Sequence, residues 1–327
     1  MHTMELLERS PRKISLLLGS RPGVRYASLT DRQVMESVDC KVQAVEAFVQ
    51  RHDPDIVFTI AGITAEAESL GARVRVKDEG SPVIEYSPLH EKPDPERLEP
   101  VPLRSSPLCA SILRSIHLLA GRHPHRMVAA TVNGPLTVTG QLLGLDRMLL
   151  LSADDPPLLR RILDEVTGRV IAFMNAQVAA GARYVHVAEP TGSLLSPSSL
   201  RGIGLPSLKR LFAGVEAPDH LHMCGNVSAH LEVLSETGAD AVSLDSMVDL
   251  YRASRVLGPG IAVCGNIDSA GVLLRGSPRE VADATRAMLE RMAGALAYIP
   301  ASSCGVPGRT PPENIDAFLR TVRSFHP

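Results

Sequence analysis

The chain has 327 residues, 44% of them hydrophobic and 21% charged, with a formal net charge of −2. That composition describes a globular protein with a sizeable core, and the balanced charge gives no sign of a nucleic-acid or membrane-surface partner. Tryptophan is absent and aromatic residues make up 3%, which argues against a stacking platform for bases or sugars.

No apolar run approaches bilayer length, so no membrane partner is expected. The first thirteen residues, MHTMELLERSPRK, lack the apolar centre of a signal peptide, and a cytoplasmic location is the expectation. In that reducing setting the five cysteines, Cys40, Cys109, Cys224, Cys264 and Cys304, point to metal binding or reactivity where they cluster. Cys40, Cys109 and Cys264 sit in apolar surroundings and read as core.

Residues 1–50 precede the first clear strand and are expected to form a helical segment packed on a single catalytic domain, 51–327. Strands are expected at 56–60 and 127–132, with a hairpin between 74–76 and 83–86. Asp154-Asp155-Pro156-Pro157 opens a helix. Its apolar positions recur through Leu159, Ile162, Leu163, Val166, Val170, Phe173 and Met174 until Gly181 stops it. From there strand and helix alternate: a strand at 184–188, a helix from Ser196-Pro197, and a strand at 221–224 followed by a helix over 228–237. Then come a strand at 241–244, a helix over 247–257, a strand at 261–264, a helix from Ser277-Pro278, a strand at 297–300 and a last helix from Pro311-Pro312.

Repeated strand–helix units imply a parallel sheet covered by helices, either closed or open. No Gly-x-Gly-x-x-Gly or Walker loop follows any strand, which lowers the nucleotide-binding readings. Polar residues instead gather just after the strands: Glu189, Asn226, Asp245, Asn266 and Cys304. In a TIM (β/α)8 barrel these positions converge at the C-terminal rim, where active sites lie, and the barrel is the expected fold.

His222-Met223-Cys224 carries the most specific chemistry. Residues two apart on a strand face the same side, so an imidazole and a thiolate can meet one ion, and Cys304 could complete a His/Cys/Cys set suited to zinc. Spacing alone equally fits a buried histidine and inert thiols. His220 reads as a loop residue, and His230 as lying on a helix surface.

The stretches His222-Met-Cys-Gly-Asn226, Glu236-Thr-Gly-Ala-Asp240, Gly265-Asn-Ile-Asp268 and Ser303-Cys-Gly-Val-Pro307 resemble the uroporphyrinogen decarboxylase superfamily. More narrowly, the chain resembles its zinc-dependent corrinoid methyltransferase branch, which includes methylcobalamin:coenzyme M methyltransferases. The resemblance implies a distorted TIM barrel and Zn²⁺ held by His222, Cys224 and Cys304. It implies a methylated corrinoid as co-substrate, delivered by a corrinoid protein or as free methylcobalamin, and a small thiol such as coenzyme M as methyl acceptor. Glu189 is the candidate fourth ligand or proton acceptor, or else a helix-start carboxylate. Asn226, Asp245 and Asn266 are candidates for orienting the ligands or the substrate. Transfer to tetrahydrofolate, or a non-catalytic corrinoid- or tetrapyrrole-binding barrel, are the alternatives. Uroporphyrinogen decarboxylation itself is disfavoured, because Arg21-Pro-Gly-Val-Arg25-Tyr26 is read as lacking the decarboxylases' arginine-rich pattern.

Overall fold

The computed structural model describes Thr3, residues 14–295 and residues 297–326. The rest of the expected N-terminal helical segment before Ile14 lies outside them. Seven parallel strands run in the order β1 (Ile56–Phe58), β4 (Met127–Asn133), β5 (Tyr184–Ala188), β6 (Asp219–Met223), β7 (Ala241–Leu244), β8 (Ala262–Ile267) and β9 (Tyr298–Ser302). The hairpin of β2 (Arg73–Arg75) and β3 (Val83–Tyr86) stands apart as an antiparallel pair.

An eighth stave closes the ring. Leu16 bridges Ala301 in parallel, its N–H donating to Pro300 and its carbonyl accepting from Ser302. On the other side Ser15 bonds Asp55 just before β1, and the Ser20 hydroxyl donates to the Phe58 carbonyl. The sequence reading began the sheet at Ile56 and did not assign this stave. With it, the architecture is a TIM-type α/β barrel, as expected.

Period-two alternation divides each strand between two cores. Ile14, Leu16, Leu18, Ile56, Phe58, Ala129, Tyr184, Cys264, Ile299 and Ala301 pack together and fill the lumen. The intervening residues, among them Val57, Val128, Val185, Val187, Leu221, Met223, Val242 and Val263, pack outward against the helices.

The long helix Pro156–Ala179 starts where the Asp-Pro signal placed it, with Asp155 accepting from the Leu158 N–H. Pro278–Arg291 carries a full capping box between Ser277 and Glu280. The helix expected over 228–237 shrinks to Leu231–Leu234, since Asn226 holds Ser228 in a turn ahead of it. No helix among the described residues is long and apolar enough to cross a membrane.

Candidate functional site

A cavity of about 310 Å³ opens at the C-terminal ends of the strands, between the loop after β1 and the ends of β5, β6 and β9. Its wall is largely apolar, with Leu18, Phe58, Ile60, Ile63, Pro190 and Val306. His222, Cys224 and Cys304 share one side of it.

Their donor atoms lie within 4.8 Å of one another. His222 Nε2 is 3.1 Å from Cys224 Sγ, and Cys224 Sγ is 3.7 Å from Cys304 Sγ. Tetrahedral zinc with Zn–S bonds of ~2.3 Å separates two thiolates by about 3.8 Å, so the sulfur pair already stands at the edge length of that polyhedron. The other imidazole nitrogen, His222 Nδ1, is 3.1 Å from Ser243 Oγ on β7. Such a partner holds the proton on Nδ1 and leaves the Nε2 lone pair facing the sulfurs, the arrangement that metal-bound histidines need. The residues therefore fit a zinc ion.

Electrostatics point the same way. The Cys224 and Cys304 thiols share a hydrogen bond, which with His222 holds the Cys304 thiol below its ordinary value. Cys224 is pushed up because it shares its proton with Cys304 and is half-buried. A divalent ion is what would allow both thiols to ionise.

Local structure aims each ligand. Gly225, at φ +80°, turns the chain immediately after Cys224, in a backbone region that favours glycine. Asp245 steadies that turn by accepting from the Gly225 N–H at 3.2 Å. Ser269 Oγ donates to the Cys304 carbonyl and accepts from the Cys304 N–H, pinning the loop beyond β9.

The other expected site residues are held elsewhere. Glu189 is fully buried and its carboxylate accepts from the Leu136 N–H, the Thr137 N–H and the Thr137 hydroxyl, closing the N-terminus of the helix Pro135–Leu143. Burial pushes it up to about 7 against the pull of those donors. Asn226 is exposed and caps its own turn through Ser228. Asn266 donates to the carbonyls of Asp245 and Val248. None of Glu189, Asn226, Asp245 and Asn266 lines the cavity.

Several lining residues went unread in the sequence. His186 lies one strand from His222, their rings 5.9 Å apart, and its Nδ1 meets His220 Nε2 at 2.7 Å. Burial, with His222 nearby, lowers His186 to about 3. His220 is not a loop residue: it is buried on β6, stacked on Tyr184. His230 is likewise buried, bonded to the Leu195 carbonyl instead of lying on a helix surface. Glu66, held by the Asn133 N–H and side-chain amide, lines the cavity too. So does Arg21, which pairs with Asp31 at 2.8 Å. The signal for the histidines was present as alternation, Tyr184-x-His186 beside His220-x-His222.

A closed parallel barrel with a donor cluster at its C-terminal rim defines an α/β-barrel class of protein. The uroporphyrinogen decarboxylase (URO-D) family profile matches residues 29–325, and the chain belongs to that family. A methylcobamide:CoM methyltransferase of Methanosarcina barkeri is 27% identical over 269 residues, covering 81% of this chain and 78% of that protein. A uroporphyrinogen decarboxylase of Anaeromyxobacter dehalogenans is 33% identical over 260 residues, covering 76% and 72%. Among solved structures, a methyltransferase from Methanosarcina mazei superposes with a TM-score of 0.88 at 22% identity, over 96% of this chain and 94% of that one, a likeness of fold.

Proposed function

We propose that the protein is a zinc-dependent methyltransferase that moves a methyl group from a methylated corrinoid to a small thiol. The observation that carries this reading is the His222, Cys224 and Cys304 cluster inside an apolar cavity, with the sulfur pair at zinc's edge length and Ser243 behind the imidazole. Bound there, zinc supplies Lewis acidity that lowers the proton affinity of an entering thiol. His222, Cys224 and Cys304 would hold the ion at the cavity wall, beside the space a substrate thiol would enter. With Cys224 and Cys304 as thiolate ligands, the ion would leave a bound substrate sulfur electron-rich enough to act as a nucleophile. The apolar wall excludes water from the reacting sulfur. The Methanosarcina barkeri relative, named for methylcobamide and CoM, supports a corrinoid donor and a thiol acceptor.

Ile63, which lines the cavity, and Leu194 and Met247 are exposed in the segments that follow β1, β5 and β7. They offer apolar surface for a free corrinoid or its carrier protein to cover.

A decarboxylase reading draws on the 33% relative and on Arg21. Against it, Arg21 is the only Lys or Arg lining the cavity among the described residues, and Asp31 already holds it. A substrate with several carboxylates would need more.

The deciding experiment gives zinc-loaded protein methylcobalamin with a panel of thiols and tetrahydrofolate, and separately uroporphyrinogen. Thiol-dependent demethylation of the corrinoid, lost in Cys224→Ala together with the zinc, is the expected result. Demethylation only with tetrahydrofolate, or turnover of uroporphyrinogen alone, would overturn it.

A further inference from the structure

The lumen beside the cluster carries a second polar group that the chemistry above does not use. His186 and His220 form a buried imidazole pair, with His186 Nδ1 2.7 Å from His220 Nε2. His220 is fully buried, and its Nδ1 has no partner among the described residues. A buried unpaired N–H is rarer and costlier than an unpaired lone pair. His220 therefore keeps its proton on Nε2 and donates it to His186 Nδ1. His186 in turn carries its proton on Nε2.

That Nε2 has no protein partner among the described residues, and His186 lines the cavity. Thr131 stands beside it, paired with His186 in the β4–β5 register and lining the same cavity. The Thr131 hydroxyl is buried and also without a partner. Other polar groups here are committed, Glu66 to Asn133 and Arg21 to Asp31. One neutral donor, His186 Nε2, is thus left beside an apolar cavity with nothing to satisfy it, and His186 is close enough to His222 for one small molecule to touch both.

We propose that His186, oriented by His220, binds an oxygen acceptor on the tail of the small thiol whose sulfur meets the His222, Cys224 and Cys304 cluster. This rests on the methyltransferase reading for the sulfur end, and adds the residues that select the tail. His186 is a specificity residue that contacts substrate, and His220 is a positioning residue that acts through it by fixing the tautomer. A donor left unpaired in a closed site penalises a substrate that lacks the acceptor, which makes the selection one of oxygen against methylene.

The test compares 2-mercaptoethanol with 1-propanethiol, which differ by an oxygen in place of a methyl group, in methylcobalamin demethylation by the zinc-loaded protein. The wild type should prefer 2-mercaptoethanol by about tenfold in kcat/KM, the worth of one well-placed hydrogen bond. His186→Leu should bring that ratio close to one through a higher KM for 2-mercaptoethanol, with zinc still stoichiometric. His186→Gln, which keeps an N–H donor, should recover part of the preference. A ratio that survives in His186→Leu, or a wild type without preference, would overturn the proposal. If the wild type demethylates methylcobalamin with no thiol of the panel, the methyltransferase reading fails instead. The tail site is then read by nitrogen-15 NMR of the histidines, where a His186 Nε2 shift with 2-mercaptoethanol and none with 1-propanethiol supports it and equal responses reject it.

Discussion

Ser243 Oγ stands 3.1 Å from His222 Nδ1, so a side chain on β7 decides which nitrogen of a β6 histidine faces the two thiols. In Ser243→Ala the imidazole is free to adopt the other tautomer, which would aim a proton at the sulfurs. We expect zinc affinity to fall about 10–100-fold, the usual effect of removing such a partner. Competition against a chromophoric chelator measures it, and an unchanged affinity would show that Ser243 does not set the tautomer.

Removing a sulfur is a harsher change. Cys304→Ala leaves His222 and Cys224, too few donors to hold zinc against water, and the purified variant should retain less than about a tenth of an equivalent by elemental analysis. Ser269→Ala leaves all three donors in place but loosens the Cys304 loop that it bonds at both ends. Its affinity should lie between those of the wild type and Cys304→Ala.

Glu189 predicts a stability effect with a definite pH sense. Its folded-state acidity, near 7, lies above the ordinary 4.5. As pH rises through that window the unfolded chain loses its proton first, so the stability due to Glu189 is greatest at the acid end and declines toward neutrality. Glu189→Gln should flatten this slope in denaturant titrations between pH 5 and 7. Glu189→Ala goes further, leaving the Leu136 and Thr137 donors unpaired at a cost of about 3 kcal/mol. Gly134→Ala should act in the same direction, because its Cβ would collide with the Glu189 carboxylate.

Lys41 is wholly buried, with Ser111 Oγ as its hydrogen-bond acceptor at 2.9 Å, and burial lowers its ammonium from an ordinary 10.5 to about 8. Below pH 8 both states are charged and the folded chain bears the full desolvation cost. Between 8 and 10.5 the folded state sheds the proton and the unfolded state keeps it. Stability should therefore rise across that window by about 3 kcal/mol. Lys41→Met should be more stable than the wild type at pH 7 and should lack the alkaline rise, read as the difference between the two proteins' unfolding curves at each pH.

The middle and late strands were legible because each is a short apolar run ended by a polar or glycine residue, as in Ala241–Leu244 before Asp245. The donor cluster was legible because His222 and Cys224 lie two apart on one of them. The first stave was not: Ile14–Leu18 is joined to its neighbours mainly through Ala301, Ser302, Asp55 and Phe58, none of them near it in sequence. Glu189, Asn226, Asp245 and Asn266 share an address, the end of a strand, that serves turn closure as readily as chemistry, and sequence position does not separate the two. His186 and His220 form a pair only through the lateral register of β5 on β6, which no single segment encodes.

The closing stave also orders events in time. Leu16 meets Ala301, and Leu18 accepts from the Val306 N–H just beyond Cys304, so an early segment pairs with a late one. A ribosome must release the chain beyond Val306 before the ring can shut. Until then β1 and β8 are open edges able to pair with other chains, and the third sulfur has not reached its partners. Closure and the arrival of Cys304 are one event, so a nascent chain cut short before residue 300 would have neither a sealed sheet nor a complete donor set.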